Sequence, residues 1–296
     1  MDELEDNGSM RISGRTKLVA VIGDPVTHSL SPTLLNAAFE ASKIDWAYTA
    51  FEVRSEEVAT ALLGVRALGI AGLSVTMPHK GLACELVDEC SEEANFLKAV
   101  NCIVNRDGKL IGYNTDGDGF LDALNHDAGV EVADKNVLVL GAGGAARSIV
   151  FALGRAGAKE VSVSNRNLEK ASLVSKLAGG VGKHLQPDQV VSSVHSADLV
   201  INATSIGMQN TENSEALFPV DPKLLSPGQV VVDLVYHPIS TPWVKELKTR
   251  EVEAYGGLSM LIFQAARAFF LWTGLEAPVA HMRKAAIMAI EESNKN

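Results

Sequence analysis

The stretch Val137–Leu140, followed directly by Gly141-Ala142-Gly143-Gly144-Ala145-Ala146-Arg147, constrains the fold of this chain more than any other segment. Four consecutive apolar residues read as a strand buried on both faces, which belongs in a parallel sheet covered by helices. The turn has the spacing G-x-G-x-x-A, and an apolar helix runs on from it to Ala156. Gly141 suits a tight turn, Gly143 lets the backbone approach a pyrophosphate, and Ala146 keeps the helix close to the sheet. The helix N-terminus then offers amide N–H groups to phosphates. Gly141, Ala142, Gly143, Gly144 and Ala145 are therefore candidate dinucleotide-binding residues, with a purely structural turn as the alternative.

The next strand, Val161–Ser164, ends in Ser164-Asn165-Arg166-Asn167. An Asp or Glu here would take the adenosine ribose hydroxyls of NAD. None is present, and Lys170 lies four residues beyond Arg166. A guanidinium meets a phosphate with two parallel N–H donors and stacks on an adenine face. Arg166 and Lys170 thus favour NADP over NAD.

Around this unit the chain alternates strand and helix. Leu18–Ile22 precedes a helix from Pro32, Trp46–Val53 precedes a helix near Ser55–Leu68, and Ile70–Met77 precedes another helix. Such alternation predicts an α/β domain with a mostly parallel sheet. Val100–Asn105 and Leu110–Tyr113 flank Asp107-Gly108 as a hairpin. A helical stretch to Val130 leads into the dinucleotide-type domain, whose further strands are Leu199–Asn202 and Val230–Leu234. The last helices, Leu258–Trp272 and Pro278–Glu292, have no strand after them and are expected to return to the first domain. The resulting expectation is a disordered leader over 1–15, a catalytic domain over 16–115 plus 257–296, and a Rossmann-type domain over 116–256.

Lys80 stands in Ile70–Met77, Pro78, His79, Lys80, with Pro78 expected at the first helical position and Leu82, Leu86 and Val87 continuing the helix. A cation in a first helical turn is disfavoured by roughly 0.3–1 kcal/mol. Such a lysine has reason to lose its proton readily or to be held by an anion; an ordinary solvated lysine is the alternative. Ser31 before Pro32 reads as an N-cap, yet Ser29 and Ser31 beside a helix N-terminus also make a neutral cradle for a carboxylate. Asp116, before Gly117, fits a turn residue or helix cap. Gln264 interrupts an apolar helix face, so its amide must find a backbone or ligand partner. Tyr236 lies just past a sheet strand, where α/β proteins bind ligands.

Composition excludes several classes. A formal net charge of −10 with no basic stripe argues against nucleic acid or an anionic membrane as partner. Cys84, Cys90 and Cys102 form no CxxC pair, disulfide framework or zinc site, and Cys84 and Cys90 are expected as buried reduced thiols on one helix. No metal is expected, because Cys, His and carboxylates do not cluster at ligand spacing. Met1–Asp6 lacks the features of a signal peptide, and Leu258–Trp272 is short and interrupted by Gln264 and Arg267. These points predict a soluble, cytoplasmic protein with a small-molecule substrate, monomeric or homodimeric.

Several motifs in one order resemble the shikimate/quinate dehydrogenase family. They are Gly23-Asp24-Pro25 with His28-Ser29-Leu30-Ser31-Pro32, Ser74–Lys80, Ala99-Val100-Asn101, Gly112–Gly117, Gly141–Arg147, Asn165-Arg166, Asn202–Met208 and Gln264-Ala265-Ala266. The resemblance spans about Val19 to Trp272. It implies that Ser29 and Ser31 bind the substrate carboxylate. It further implies that Thr76, Asn101, Tyr236 and Gln264 contact the ring and its hydroxyls, with Lys80 and Asp116 as the catalytic pair. Asn165, Thr204, Leu234 and Gly257 join the cofactor residues on the same basis. The reaction implied is reversible NADPH-dependent reduction of 3-dehydroshikimate to shikimate, with quinate or an amino-shikimate as rival substrate and a non-catalytic dinucleotide-binding regulator as the remaining alternative. Ser74 stands where many members carry Asn, and Lys170 where Arg is common.

Overall fold

The computed structural model describes residues 12–208 and 218–293. The expected leader falls largely outside them; within them, Thr16 closes a turn on Ser13 and donates its hydroxyl to Asp45 at 2.6 Å. The chain forms two compact units, Met1–Asn114 with Ala265–Asn296, and Thr115–Gln264.

The first unit starts with β1 (Lys17–Gly23), α1 (Ser31–Ala41), β2 (Trp46–Glu52), α2 (Val58–Ala67) and β3 (Gly72–Val75). It continues through α3 (Lys80–Leu86), β4 (Glu89–Cys90), α4 (Glu92–Leu97), β5 (Cys102–Arg106) and β6 (Lys109–Tyr113). Its six-stranded sheet runs β2-β1-β3-β5-β6-β4. β1 pairs in parallel with β2 and β3, whereas β5 is antiparallel to both β3 and β6, so the sheet is mixed. The β5–β6 hairpin turns on Asp107 and Gly108, both at positive φ (52° and 87°), the hand that matches strand twist. Ile22, Leu73, Val75, Ile103 and Leu110 fill one core with Leu62 and Val65 of α2.

The second unit holds α5 (Asp116–Ala128), β7 (Asn136–Leu140), α6 (Gly144–Arg155), β8 (Glu160–Ser164), α7 (Leu168–Ser175) and β9 (Gly182–His184). After these come α8 (Val190–Ser196), β10 (Leu199–Asn202), β11 (Val230–Asp233), α9 (Pro242–Thr249) and β12 (Glu253–Gly256). The order β12-β11-β10-β7-β8-β9 is parallel throughout, the doubly wound arrangement that reverses direction between β7 and β10. Strand alternation explains the unbroken apolar runs. Val137, Val139, Leu199 and Ile201 face one core with Ile149 and Leu153 of α6. Leu138, Leu140, Val200 and Val231 face the other, around Trp243 and Leu247 of α9. α10 (Leu258–Thr273) passes from the second unit into the first, where α11 (Val279–Ser293) packs on α1. In the first unit Phe269 stacks on Phe39 with centroids 5.5 Å apart, and Trp272 donates Nε1–H to Ile103 O at 2.9 Å. Gly72 leaves the space that Trp272 fills, since a Cβ there would stand 2.3 Å from its Nε1. Among the described residues, no helix is long and apolar enough to cross a membrane.

Three local expectations need correction. Pro78 is not the first helical residue: His79 N–H bonds back to Thr76 O at 3.0 Å, making a turn that delays the helix to Lys80. Ser31 is the first residue of α1 rather than its cap, and the local side-chain acceptor is Ser29 Oγ, 3.2 Å from Ser31 N. Cys90 lies on β4, not on the helix of Cys84, and both thiols are half-buried rather than buried. The helix is cut short because the chain turns at Val87 to pair Glu89 and Cys90 with β6.

Candidate active site

In the first unit, backbone hydrogen bonds gather Thr76, Lys80 and Asn101 at the end of β3. Val75 N–H donates to Asn101 O at 2.8 Å, and Val100 N–H donates to Lys80 O at 2.9 Å. Thr76 N–H extends the β1 ladder to Ile22 O, and Asp24 N–H returns to Met77 O. Gly23 is required there, because an added Cβ would lie 2.4 Å from Thr76 Cγ2. The loop that leaves Gly23 leads to Ser29 and Ser31 at the start of α1, so the polar residues expected on this unit share the carboxyl ends of β1 and β3. Lys80 is half-exposed and opens α3, while Asn101 is buried just before β5. His79 is only 1% exposed, and its Nε2 pairs with Val53 O at 2.6 Å, which ties this turn to the end of β2.

Tyr48 was not visible from the sequence, where an aromatic in a strand reads as core. It is 4% exposed, and its Oη has no hydrogen-bond partner among the described residues. Burial pushes its hydroxyl well above the usual tyrosine range, with the Ser74 and Ser31 side chains close enough to oppose that rise. An orphaned buried hydroxyl costs about 1–3 kcal/mol, and this one stands beside the Ser31 and Ser74 side chains.

In the second unit, Asp116 opens α5 and is buried, next to Thr115, whose hydroxyl donates to Gln264 O at 3.0 Å. α5 and α10 approach so closely that a Cβ on Gly119 would lie 2.6 Å from Gln264 N. Asp116 and Gln264 therefore sit at one crossing. The Gln264 Nε2 donates to Leu261 O at 2.7 Å, which supplies the backbone partner its amide needs.

The glycine loop meets the requirements of a dinucleotide cradle. Gly141 has φ +110°, and a Cβ would come within 2.7 Å of Ala203 O, so neither its conformation nor its neighbour admits a side chain. Its N–H reaches Ser164 O at 2.7 Å, fixing the loop to the end of β8. Gly143 and Gly144 face open space, with nothing within 4 Å of a Cβ on either. No side chain caps the N-terminus of α6, which leaves its first amides for an anion. Asn165 is half-exposed and Arg166 and Lys170 are exposed at the end of β8 and start of α7, where Asn167 caps Lys170 N at 2.9 Å.

Across the switch point, Asn202 Oδ1 accepts from Thr204 N and Thr204 Oγ1, at 3.0 and 2.6 Å. Asn202 Nδ2 donates to Asp233 Oδ1 at 2.8 Å, and Thr241 Oγ1 donates to Asp233 Oδ2 at 2.7 Å while capping α9. Desolvation raises the Asp233 carboxyl above its ordinary value against the pull of those donors. Leu234 and Gly257 touch, since a Cβ on Gly257 would lie 2.0 Å from Leu234 O. Tyr236 follows two residues later, its hydroxyl likewise raised by burial. The Asn202–Asp233–Thr241 network carried no sequence signal of its own; Asn202 and Asp233 end β10 and β11 as single polar residues after apolar runs.

Residues 21–103 match the shikimate dehydrogenase substrate binding domain, 123–235 the shikimate / quinate 5-dehydrogenase family, and 257–287 the shikimate 5'-dehydrogenase C-terminal domain. The chain is 44% identical to a shikimate dehydrogenase (NADP(+)) of Moorella thermoacetica, over 92% of this chain and 93% of that one. A shikimate dehydrogenase crystallised with NADP+ superposes with a TM-score of 0.88 at 39% identity, covering 95% of this chain and 98% of the other. The Thermus thermophilus shikimate 5-dehydrogenase in complex with NADP(H) and shikimate gives 0.84 at 36% identity, covering 93% and 100%. With similarity running through both units, this chain belongs to the shikimate dehydrogenase family.

Proposed function

We propose that the chain catalyses reversible NADP-dependent interconversion of 3-dehydroshikimate and shikimate, a step of aromatic amino-acid (chorismate) biosynthesis. The observation that carries this reading is the backbone hydrogen bonding that joins the end of β3, the start of α3 and the start of β5, where Thr76, Lys80 and Asn101 stand, in a chain that also holds an open glycine cradle. Ser29 and Ser31 take the substrate carboxylate. Thr76, Asn101, Tyr236 and Gln264 hold the ring and its hydroxyls. Gly141 to Ala145 and the amides of α6 hold the pyrophosphate, Asn165, Arg166 and Lys170 the adenosine 2′-phosphate side, and Thr204, Leu234 and Gly257 the nicotinamide side.

NADPH, when bound, supplies the hydride that reduces the carbonyl carbon. Lys80 donates a proton to the developing alkoxide oxygen and stabilises its charge. Asp116 is the other member of the catalytic pair and orients the same hydroxyl. In the oxidation direction the proton returns from the C3 hydroxyl to Lys80. The substrates are small molecules, and the reading makes the protein a cytoplasmic enzyme working as a monomer or homodimer.

Quinate is the second reading, and the orphaned Tyr48 Oη beside Ser31 and Ser74 favours it. Quinate carries a hydroxyl on the carbon that bears the carboxylate, which would give Tyr48 a partner that shikimate lacks. Measuring kcat/KM for shikimate and quinate with NADP and NAD separates the readings. The highest value is expected for shikimate with NADP; a higher value for quinate, or for NAD, overturns that choice.

A further inference from the structure

Cys84 and Cys90 stand apart from the site residues, yet Cys84 lies on the seven-residue helix that Lys80 opens. Their sulfurs are 3.3 Å apart. Cys84 Sγ lies 3.6 Å from Ala94 O and Cys90 Sγ 3.5 Å from Cys84 O, which would suffice for two resting thiols. Two features point further. Both residues are half-buried, whereas Cys102 is fully buried. The return between them is also braced on both sides. Val87 N–H closes α3 onto Ala83 O, Asp88 N–H bonds to Leu110 O, and Ser91 N–H bonds to Gly112 O. Asp88 pairs with Arg66 at 2.6 Å and Glu89 with Lys109 at 2.6 Å. The backbone therefore holds the two side chains face to face. A disulfide, at about 2 Å between sulfurs, asks for an approach of roughly 1.3 Å.

We propose that Cys84 and Cys90 form a peroxide-oxidisable dithiol that closes to a disulfide and thereby restrains the helix carrying Lys80. Either sulfur of the facing pair can meet the oxidant, with the other resolving it, and the chemistry is the same when Cys84 goes first. The Cys84 thiolate attacks one peroxide oxygen, the O–O bond breaks, and hydroxide leaves to give the sulfenic acid. Cys90 sulfur then attacks Cys84 sulfur, the S–O bond breaks, and its proton leaves with the hydroxyl as water. In sum, two thiols and one hydrogen peroxide give one disulfide and two waters. Lys80 and Cys84 are four residues apart, hence on one face of α3, and drawing Cys84 toward β4 displaces the turn that positions Lys80. This last step rests on the role proposed for Lys80; formation of the disulfide does not.

The test treats the full-length reduced protein with hydrogen peroxide and follows mass, peptide map and shikimate-dependent NADP reduction together. The expected result is loss of two hydrogens and a Cys84–Cys90 cross-link, with a several-fold fall in turnover that dithiothreitol reverses. Cys84→Ser and Cys90→Ser, checked for unchanged thermal stability, should keep their activity in peroxide, and Cys102→Ser should behave as wild type. Oxygen uptake without that cross-link, or single variants inactivated as fast as wild type, overturns the proposal. A reduced protein with no turnover at all would count against the proposed activity, and the mass readout would still decide the dithiol.

Discussion

Lys80 begins α3 directly after His79, whose imidazole is tied to Val53 O at the end of β2, and the Lys80 carbonyl accepts from Val100 N–H. Lys80→Ala should lower turnover by roughly 10²–10⁴, the usual contribution of a positioned acid or base, with cofactor affinity nearly unchanged. Steady-state rates within a few-fold of wild type would remove Lys80 from the chemistry. Tyr48 gives a test of opposite sign for stability and function. Its buried hydroxyl has no hydrogen-bond partner among the described residues, so Tyr48→Phe should leave the melting temperature unchanged or raise it. If that hydroxyl serves the substrate carboxylate or an adjoining hydroxyl, KM should rise about 10–100-fold, the equivalent of a hydrogen bond to a charged group. Unchanged KM for both shikimate and quinate would make Tyr48 a packing residue. The place of Lys80 at a helix start was legible in the sequence, while its part in the chemistry is what the substitution tests. Tyr48 was not legible, because its meaning depends on two serines brought to it by other elements.

The ends of β10 and β11 are joined by an element-to-element brace, Asn202 to Asp233 to Thr241. Asp233→Ala would remove the acceptor of the Thr241 hydroxyl, of Val235 N–H and of one of the two bonds the Asn202 amide donates, the other going to Ile206 O; it should cost about 1–3 kcal/mol for each buried donor left unmet and loosen the turn that presents Thr204. Asp233→Asn should cost less, since it keeps an acceptor for Asn202. The pH dependence has a definite sign. Burial raises the folded-state carboxyl above its unfolded value, so the folded chain holds that proton more tightly. The stability this contributes is complete below the unfolded value, about 3.9, and is lost as pH rises through the raised folded value. Across that window the melting temperature of wild type should therefore fall relative to Asp233→Asn; a rising difference would show that the hydrogen bonds outweigh burial. The strands that frame this brace were readable because both faces are buried and turn residues bound them. By contrast, β4, β9 and β12, of two to four residues each, carry too little periodicity to be seen. They exist because neighbouring strands offer them a ladder. The Pro78 expectation failed for a related reason, since a turn closed by Thr76 and His79 overrode the local preference of proline for a first helical position.

At the scale of the whole molecule, a formal net charge of −10 opposes a cofactor that is itself strongly anionic. Local charge must therefore decide the matter. At physiological ionic strength the screening length is about 8 Å, so the overall field fades before contact while a phosphate touching Arg166 still feels it. Arg166 and Lys170 are exposed, and the attraction they supply is accordingly screened in its turn. Arg166→Ala should weaken NADPH by roughly 1.5–3 kcal/mol, the scale of a hydrogen bond to a charged group, and hardly affect NADH, which lacks the 2′-phosphate. Lys170 should retain part of the preference as a point charge. Raising ionic strength from about 0.05 M to about 0.5 M should narrow the wild-type preference and shrink the effect of the substitution, because the Debye length falls to several ångströms over that range. Binding constants for both cofactors at the two salt concentrations, in wild type and Arg166→Ala, settle the point. Equal weakening of NADPH and NADH by Arg166→Ala would reassign that side chain to adenine stacking, and discrimination would then have to come from Lys170 and the end of β8.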